Sequence, residues 1–265
     1  MPRLLDEIRQ GRQHKEPFIL VNGRPGVGKS SMLAALYRVL ILDYDDGLSE
    51  IDCQSISMVG KSFEELCELL EDLAKMYDED PENFPYAWLG FDSADKLEQT
   101  IQKSVCEQHG KKSIEDFGYG KGQSYAAEKV AKLIRILKWM QHKMGIGVMF
   151  TCHAAIRTVS EPHLNDPYDL YTSKLHKKFA ADLYEAADAI LFGAIKTHTK
   201  EKVGSFGRTT TQGIVTGERV LYTTPSTGVE AKNRYGLPPI IPMDAQNLID
   251  LIEKSREPQN PTQGE

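Results

Sequence analysis

The sequence predicts an α/β fold: a mostly parallel β-sheet with helices on both faces and an antiparallel extension towards the C-terminus. Three observations carry this. Short apolar runs alternate with segments of helical periodicity, the pattern of strands buried on both faces and joined by crossover helices. One apolar run, Phe18-Ile19-Leu20-Val21, leads through the glycine-rich segment Gly23 to Ser30 into a helix-forming stretch. Two later runs, Gly213 to Val215 and Val220 to Tyr222, read as the antiparallel addition.

The elements follow in order. Leu4 to Arg9 reads as a short lead-in helix, and Ser31 to Tyr37 as the helix after the glycine-rich turn. Arg38 to Asp43 and Ser55 to Val59 read as strands. Ser62-Phe63-Glu64-Glu65 is a capping box, and Phe63, Leu66, Leu69, Leu70 and Leu73 follow at helical spacing until Pro81 and Pro85. Tyr86 to Phe91 is a strand, Ala94 to His109 a helix, and Gly110 to Gly122 a glycine- and lysine-rich loop. The helix Ser124 to Met144 places Val130, Leu133, Ile134 and Leu137 on one face. Gly147 to Thr151 is a strand, followed by a long polar loop to Lys177. Phe179 to Ala187 is helical and Ala189 to Phe192 a strand. Lys196 to Arg208 reads as a hairpin tip, and Ala245 to Lys254 as the last helix. Residues 1–16 form a lead-in, 17–256 one core without an internal repeat, and 257–265 a polar tail expected to be disordered.

Composition excludes several classes. The chain has 265 residues, 40% hydrophobic and 26% charged, ordinary for a soluble globular protein. No run approaches a membrane span, and MPRLLDEIRQGRQHKEPF lacks an apolar signal core. A cytoplasmic protein with no membrane partner is expected. Cys53, Cys67, Cys106 and Cys152 form no C-x-x-C pair, so reduced, mostly buried thiols are expected rather than disulfides or zinc. The net charge of -6 argues against nucleic acid binding over the whole surface but leaves room for a local basic loop.

Gly23-Arg24-Pro25-Gly26-Val27-Gly28-Lys29-Ser30 matches G-x-x-x-x-G-K-[ST] at every fixed position, between a strand and a helix, as a phosphate-binding P-loop requires. Its glycines let backbone N–H groups turn onto phosphate oxygens. Ser31 completes the set that would touch the nucleotide. Lys29 would reach the β- and γ-phosphates of ATP, and Ser30 would hold Mg²⁺. Three strand ends extend this site. Asp92, closing Trp88 to Phe91, fits a Walker B acid for Mg²⁺ or a cap on the next helix. The following residue is Ser93, not a glutamate, so the carboxylate that activates water comes from elsewhere. Asp43-Tyr44-Asp45-Asp46-Gly47 lies past another strand, in the crevice where open α/β sheets bind ligands. Asp45 is the first choice and Asp46 the second, against an acidic turn closing the strand. His153, after Phe150-Thr151-Cys152, would sense the γ-phosphate or serve the structure alone.

These pieces together resemble the RecA superfamily. The order is the same from about Phe18 to Pro239: Gly23 to Ser30, Asp43-Tyr44-Asp45, Asp92-Ser93, His153 and Lys232-Asn233-Arg234. More closely, the chain is similar to the compact phage RecA-like ATPases, some of them single-strand annealing proteins, through F-G-Y-G-K-G, T-C-H and A-K-N-R-Y-G-L-P. The resemblance implies a RecA-like P-loop NTPase core that hydrolyses ATP with Mg²⁺. It implies binding of single-stranded DNA and promotion of strand annealing or homologous recombination. It also implies self-assembly into a filament or ring, a possible single-strand binding protein as partner, and residence in the bacterial host cytoplasm. Lys232 and Arg234 would then act in trans on a neighbour's nucleotide, against the reading of A-K-N-R-Y-G as a solvated turn. The sequence departs from the RecA pattern in having Asp45 for a glutamate, His153 for a glutamine, and a short region before the first strand.

In RecA-like proteins two loops line the single-stranded DNA path. Their equivalents hold Lys111, Lys112 and Lys121 in Gly110 to Gly122, and Arg157, Lys174, Lys177 and Lys178 in Ala154 to Lys178. Phe117, Tyr119, His163, Tyr168 and Tyr171 lie among them. Glu115, Asp116, Glu161, Asp166 and Asp169 keep their net charge modest, so loops that order on another partner are a rival reading. Lys196, Lys200, Lys202 and Arg208 form a third basic surface. The alternatives are a nucleotide-gated loader or regulator of replication proteins and, ranked low, a small-molecule kinase.

Overall fold

The computed structural model describes residues 10–11, 13–161, 164–203, 209–226 and 228–257. The expected helix Leu4–Arg9, His163, Arg208 and the tail 258–265 lie outside the described residues, as do the side chains of Lys200 and Lys202. The centre of the fold is β1 (Phe18–Gly23), buried at all six positions. Its side chains alternate between two apolar layers, as a pleated strand demands. Phe18 and Leu20 face one layer, Ile19 and Val21 the other.

β1 runs parallel to β5 (Gly147–Val159) on one side and to β7 (Ala189–Val203) on the other. β5 continues the parallel sheet to β4 (Trp88–Asp92), β2 (Val39–Asp43) and β3 (Gln54–Ser57). Beyond β7 come the antiparallel β8 (Thr209–Tyr222) and β10 (Ile240–Pro242). The order is β10-β8-β7-β1-β5-β4-β2-β3, with β6 (Tyr168–Ser173) on β5 and β9 (Lys232–Asn233) on β7.

One face is covered by α2 (Phe63–Glu79), α3 (Ala94–Gln108), α4 (Lys121–Met144) and α5 (Lys177–Ala186), through Leu66, Leu97, Leu133, Leu183 and their neighbours. The other carries α1 (Lys29–Ala34) and α6 (Ala245–Arg256), through Leu33 and Leu248. A mostly parallel sheet between helical layers is thus what forms, with the antiparallel extension as expected. α1 sits so close to β4 that a Cβ on Gly90 would come 2.9 Å from a Leu33 methyl. The predicted capping box forms: Ser62 Oγ accepts from the Glu65 amide, and Glu65 accepts from the Ser62 amide. Among the described residues no helix is long and apolar enough to cross a membrane.

Several expected loops need correction. The polar loop expected after Thr151 is a hairpin. β5 runs unbroken to Val159 and pairs antiparallel with β6, from Ala154 opposite Ser173 to Val159 opposite Tyr168. Its outer half leaves the core, and polar partners such as Thr158 and Asp169 (2.8 Å) meet across it. No buried face imposes an apolar pattern there, so the strand reads as loop. Likewise Lys196 to Val203 belong to β7 rather than to a tip, and β8 is one strand where two short runs were expected. The expected loop before α4 holds a 3₁₀ turn, Ile114–Phe117, capped by Ser113, and α4 already begins at Lys121.

At the N-terminal end of the parallel strands, buried Asp188 accepts from the Phe18 amide at 3.1 Å. It also pairs with Lys15 at 3.0 Å and Arg234 at 3.2 Å. Removing this carboxylate strands a buried N–H and two cations. Asp188→Ala is expected to destabilise the fold by about 3 kcal/mol, read as a lower urea midpoint with an unchanged slope.

Candidate active site

β1 ends where two glycines take backbone angles that a side chain resists. Gly26 has φ 78° and Gly28 φ 104°, with Gly28 at the left-handed N-terminal boundary of α1. This turn buries Lys29, whose Nζ donates to the Gly23 carbonyl at 2.9 Å and the Arg24 carbonyl at 3.2 Å. Burial pushes the Lys29 pKa down, and the carboxylate of Asp92 pulls against that shift. Val27 is buried beneath the loop, while Arg24 and Pro25 are exposed.

The neighbouring strand ends deliver the acids. Asp92 closes β4 and accepts a hydrogen bond from Thr151 Oγ1 on β5. It does not cap α3; the residue at that boundary is Ser93, whose hydroxyl instead donates to Asp45 Oδ2 at 2.7 Å. Asp43 lies opposite Asp92 and accepts from the Asp45 and Gly47 amides at 3.0 and 3.4 Å. The acidic segment is therefore both a turn and a site: Asp43 builds the turn, and Asp45 faces the cleft. Asp46 stands outside the lining, on a left-handed φ of 55°. His153 sits opposite Gly23, its amide 2.7 Å and its Nδ1 3.3 Å from Asp95 Oδ2.

Together these residues line a cleft of about 490 Å³, with Gly26, Gly28, Lys29, Ser30 and Ser31 on one wall and Asp45, Asp92 and His153 on the other. Ser30 and Asp92 offer a hydroxyl and a carboxylate in one cleft, the hard oxygen donors that suit Mg²⁺. One wall residue belongs to no sequence motif. Arg219 enters from β8 and lies over Gly28. Thr-Gly-Glu-Arg reads locally as a turn, and only closure of the β7–β8 hairpin reveals the placement.

Lys232 and Arg234 are not in this cleft. β9 pairs with the start of β7, at the opposite end of the parallel strands from Gly23. Lys232 Nζ donates to the Tyr184 and Glu185 carbonyls at 2.6 and 3.3 Å, at the C-terminal end of α5. Arg234 holds Asp188 and, with Lys15, Lys254 and Arg256, lines a second cleft of about 980 Å³. Nearby, Lys138 donates to the Ala186 carbonyl at 2.7 Å and lies over the Phe18 ring.

The basic residues expected on the DNA path are divided. Lys111, Lys112 and Lys121 are exposed around the 3₁₀ turn and the start of α4. Lys174, just after β6, and Lys177, at the start of α5, are exposed. Arg157 is partly committed, donating to the Leu175 carbonyl at 2.7 Å, and Lys178 donates to Ser124 at 2.9 Å.

Residues 15–235 match the model of a family described as AAA domain. No curated protein matches the chain.

Asp45→Asn keeps the side chain's size but loses its basicity; turnover of ATP is expected to fall by about 10² or more. Nucleotide binding by that variant should stay near wild type in a titration, whereas Lys29→Ala should lose both. Separately, burial and the repulsion of Lys15 push Lys138 down to about 8 from the ordinary 10.5. The unfolded lysine keeps its proton in that window while the folded one releases it, so this contribution favours the fold increasingly as pH rises. Any stability advantage of Lys138→Met over wild type should therefore shrink between about pH 8 and 10.5, measured by melting temperature.

Proposed function

The chain belongs to the AAA-domain family of P-loop ATPases, and from that premise we propose a compact phage RecA-like protein that couples ATP hydrolysis to single-stranded DNA. In this reading it promotes strand annealing or homologous recombination. The observation that carries the proposal is the continuity of β5: its inner half brings His153 to the nucleotide cleft, and its outer half is the hairpin beside Lys174 and Lys177.

The chemistry is in-line displacement. Water attacks the γ-phosphorus, the bond to the β–γ bridging oxygen breaks, ADP leaves, and the water's proton passes to Asp45. Lys29 neutralises charge on the transferred group. Mg²⁺ held by Ser30 and Asp92 would neutralise the phosphate oxygens further. His153, tied to Asp95, reports the γ-phosphate to the hairpin.

Self-association is part of the proposal. The phosphate cleft and the basic cleft around Arg234 lie at opposite ends of the parallel strands. Head-to-tail contact would bring Arg234 of one subunit towards the nucleotide of the next, a heterologous contact that builds a ring or a filament. Lys232, bound to two carbonyls, must break these bonds to do the same. The internal engagement of Arg157 and Lys178 favours the second reading, a nucleotide-gated loader or regulator acting on replication proteins, over a strongly basic DNA groove.

Phosphate release measured with and without single-stranded DNA separates the two. Stimulation that weakens as salt rises is the result expected of the recombination protein. A rate indifferent to DNA would transfer the assignment to the loader.

A further inference from the structure

We propose that Arg219 is a phosphate-binding residue of the nucleotide cleft, supplied by the same chain and contacting the triphosphate directly. The inference rests on the ATPase reading and adds a cation to it from an unexpected direction. Asp45, Asp92 and His153 reach the P-loop from β2, β4 and β5, all on one side of β1. Arg219 reaches it from β8, two strands away on the other side. The triphosphate would therefore be bracketed, with the hydrolytic acid on one flank and a guanidinium on the other.

A distortion in the β7–β8 ladder accompanies this placement. Ile195 pairs with Arg219, but Thr197 pairs with Val215. One β7 residue thus stands against Thr216, Gly217 and Glu218, with Gly217 at φ 80°. Bulges of this kind bend a strand and redirect the next side chain. The Arg219 backbone is then fixed again, its carbonyl accepting from the Met243 amide at 3.0 Å.

The guanidinium lies directly on the P-loop. A Cβ built on Gly28 would meet Arg219 Nη1 at 2.9 Å, Cζ at 3.4 Å and Cδ at 3.5 Å. Glu218, the adjacent acid, pairs with Lys196 at 3.3 Å. No ion pair to Arg219 is found among the described residues, so its charge is available to a ligand. A triphosphate with one divalent cation keeps roughly two negative charges. Lys29 matches one of them, and Arg219 matches the second. An arginine suits this role because it stays protonated and presents a planar fork of donors to phosphate oxygens.

The test compares wild type, Arg219→Ala, Arg219→Lys and Lys29→Ala by titration with fluorescent ATP and ADP analogues, single-turnover phosphate release, and melting temperature without nucleotide. For Arg219→Ala we expect ATP affinity to fall about 10-fold, ADP affinity to fall less because ADP carries less charge, and turnover to fall about 100-fold or more. The nucleotide-free melting temperature should not change, and Arg219→Lys should recover part of the loss. Wild-type binding and turnover in Arg219→Ala, alongside loss of both in Lys29→Ala, would overturn the proposal while leaving the ATPase reading intact. Equal losses for ATP and ADP with a lowered melting temperature would make Arg219 a structural residue and also overturn it. A folded wild-type chain that binds no ATP would instead remove the ATPase reading on which it rests.

Discussion

The backbone ladder that seats β1 between β5 and β7 is the constraint on which the rest of the molecule depends. Gly23 lies opposite His153 on one side and Gly193 on the other. The turn that leaves β1 therefore emerges between two strands that both continue past it. A Cβ on Gly23 would meet the Gly193 carbonyl at 3.0 Å and a Val27 methyl at 2.9 Å, so the loop fits this slot only because the residue is glycine. The side chains that line the cleft are placed relative to that exit: Lys29 beneath it, Asp45 and Asp92 on one flank, Arg219 on the other.

Much of this was legible in the sequence, and the reasons differ from residue to residue. The P-loop announces itself because its fixed positions follow a local pattern: glycines that suit a tight turn, then a lysine and a serine of the types that suit phosphate and a cation. Asp92 and Asp45 were legible because buried strands end abruptly, and the end of a parallel strand is where ligands bind. The hairpin β5–β6 was not legible, since its exposed, part-buried and polar buried positions follow one another without an apolar rhythm. Arg219 was hidden for another reason. Its role depends on a strand pairing across the sheet and a shift in its register, neither of which leaves a local signature. For Lys232 and Arg234 the motif was legible but its surroundings were not: the sequence shows three adjacent residues and conceals the buried Asp188 and the helix end they already serve.

The two ends of the sheet also solve different electrostatic problems. At the C-terminal edge, cations and carboxylates face one another across an open cleft, an arrangement suited to a ligand that is itself highly charged. At the N-terminal edge, Lys15, Lys138, Lys232 and Arg234 gather around the buried carboxylate of Asp188. Burial and mutual repulsion push both Lys138 and Lys232 down. The Asp188 carboxylate ties β1, β7 and β9 together, yet it leaves positive charge in excess around it.

His153 divides β5 into unlike halves: the six residues before it are buried and the stretch from Ile156 to Thr158 is exposed. The hydrogen-bonded strand does not break at that boundary, and its outer half is held a second time where Tyr171, opposite Ile156, bonds to the Gly228 and Glu230 backbone. Val159 stands roughly 20 Å beyond His153 at the rise of an extended chain. A core strand that outruns its sheet in this way joins the cleft at His153 to the segment 228–230 through one continuous backbone ladder.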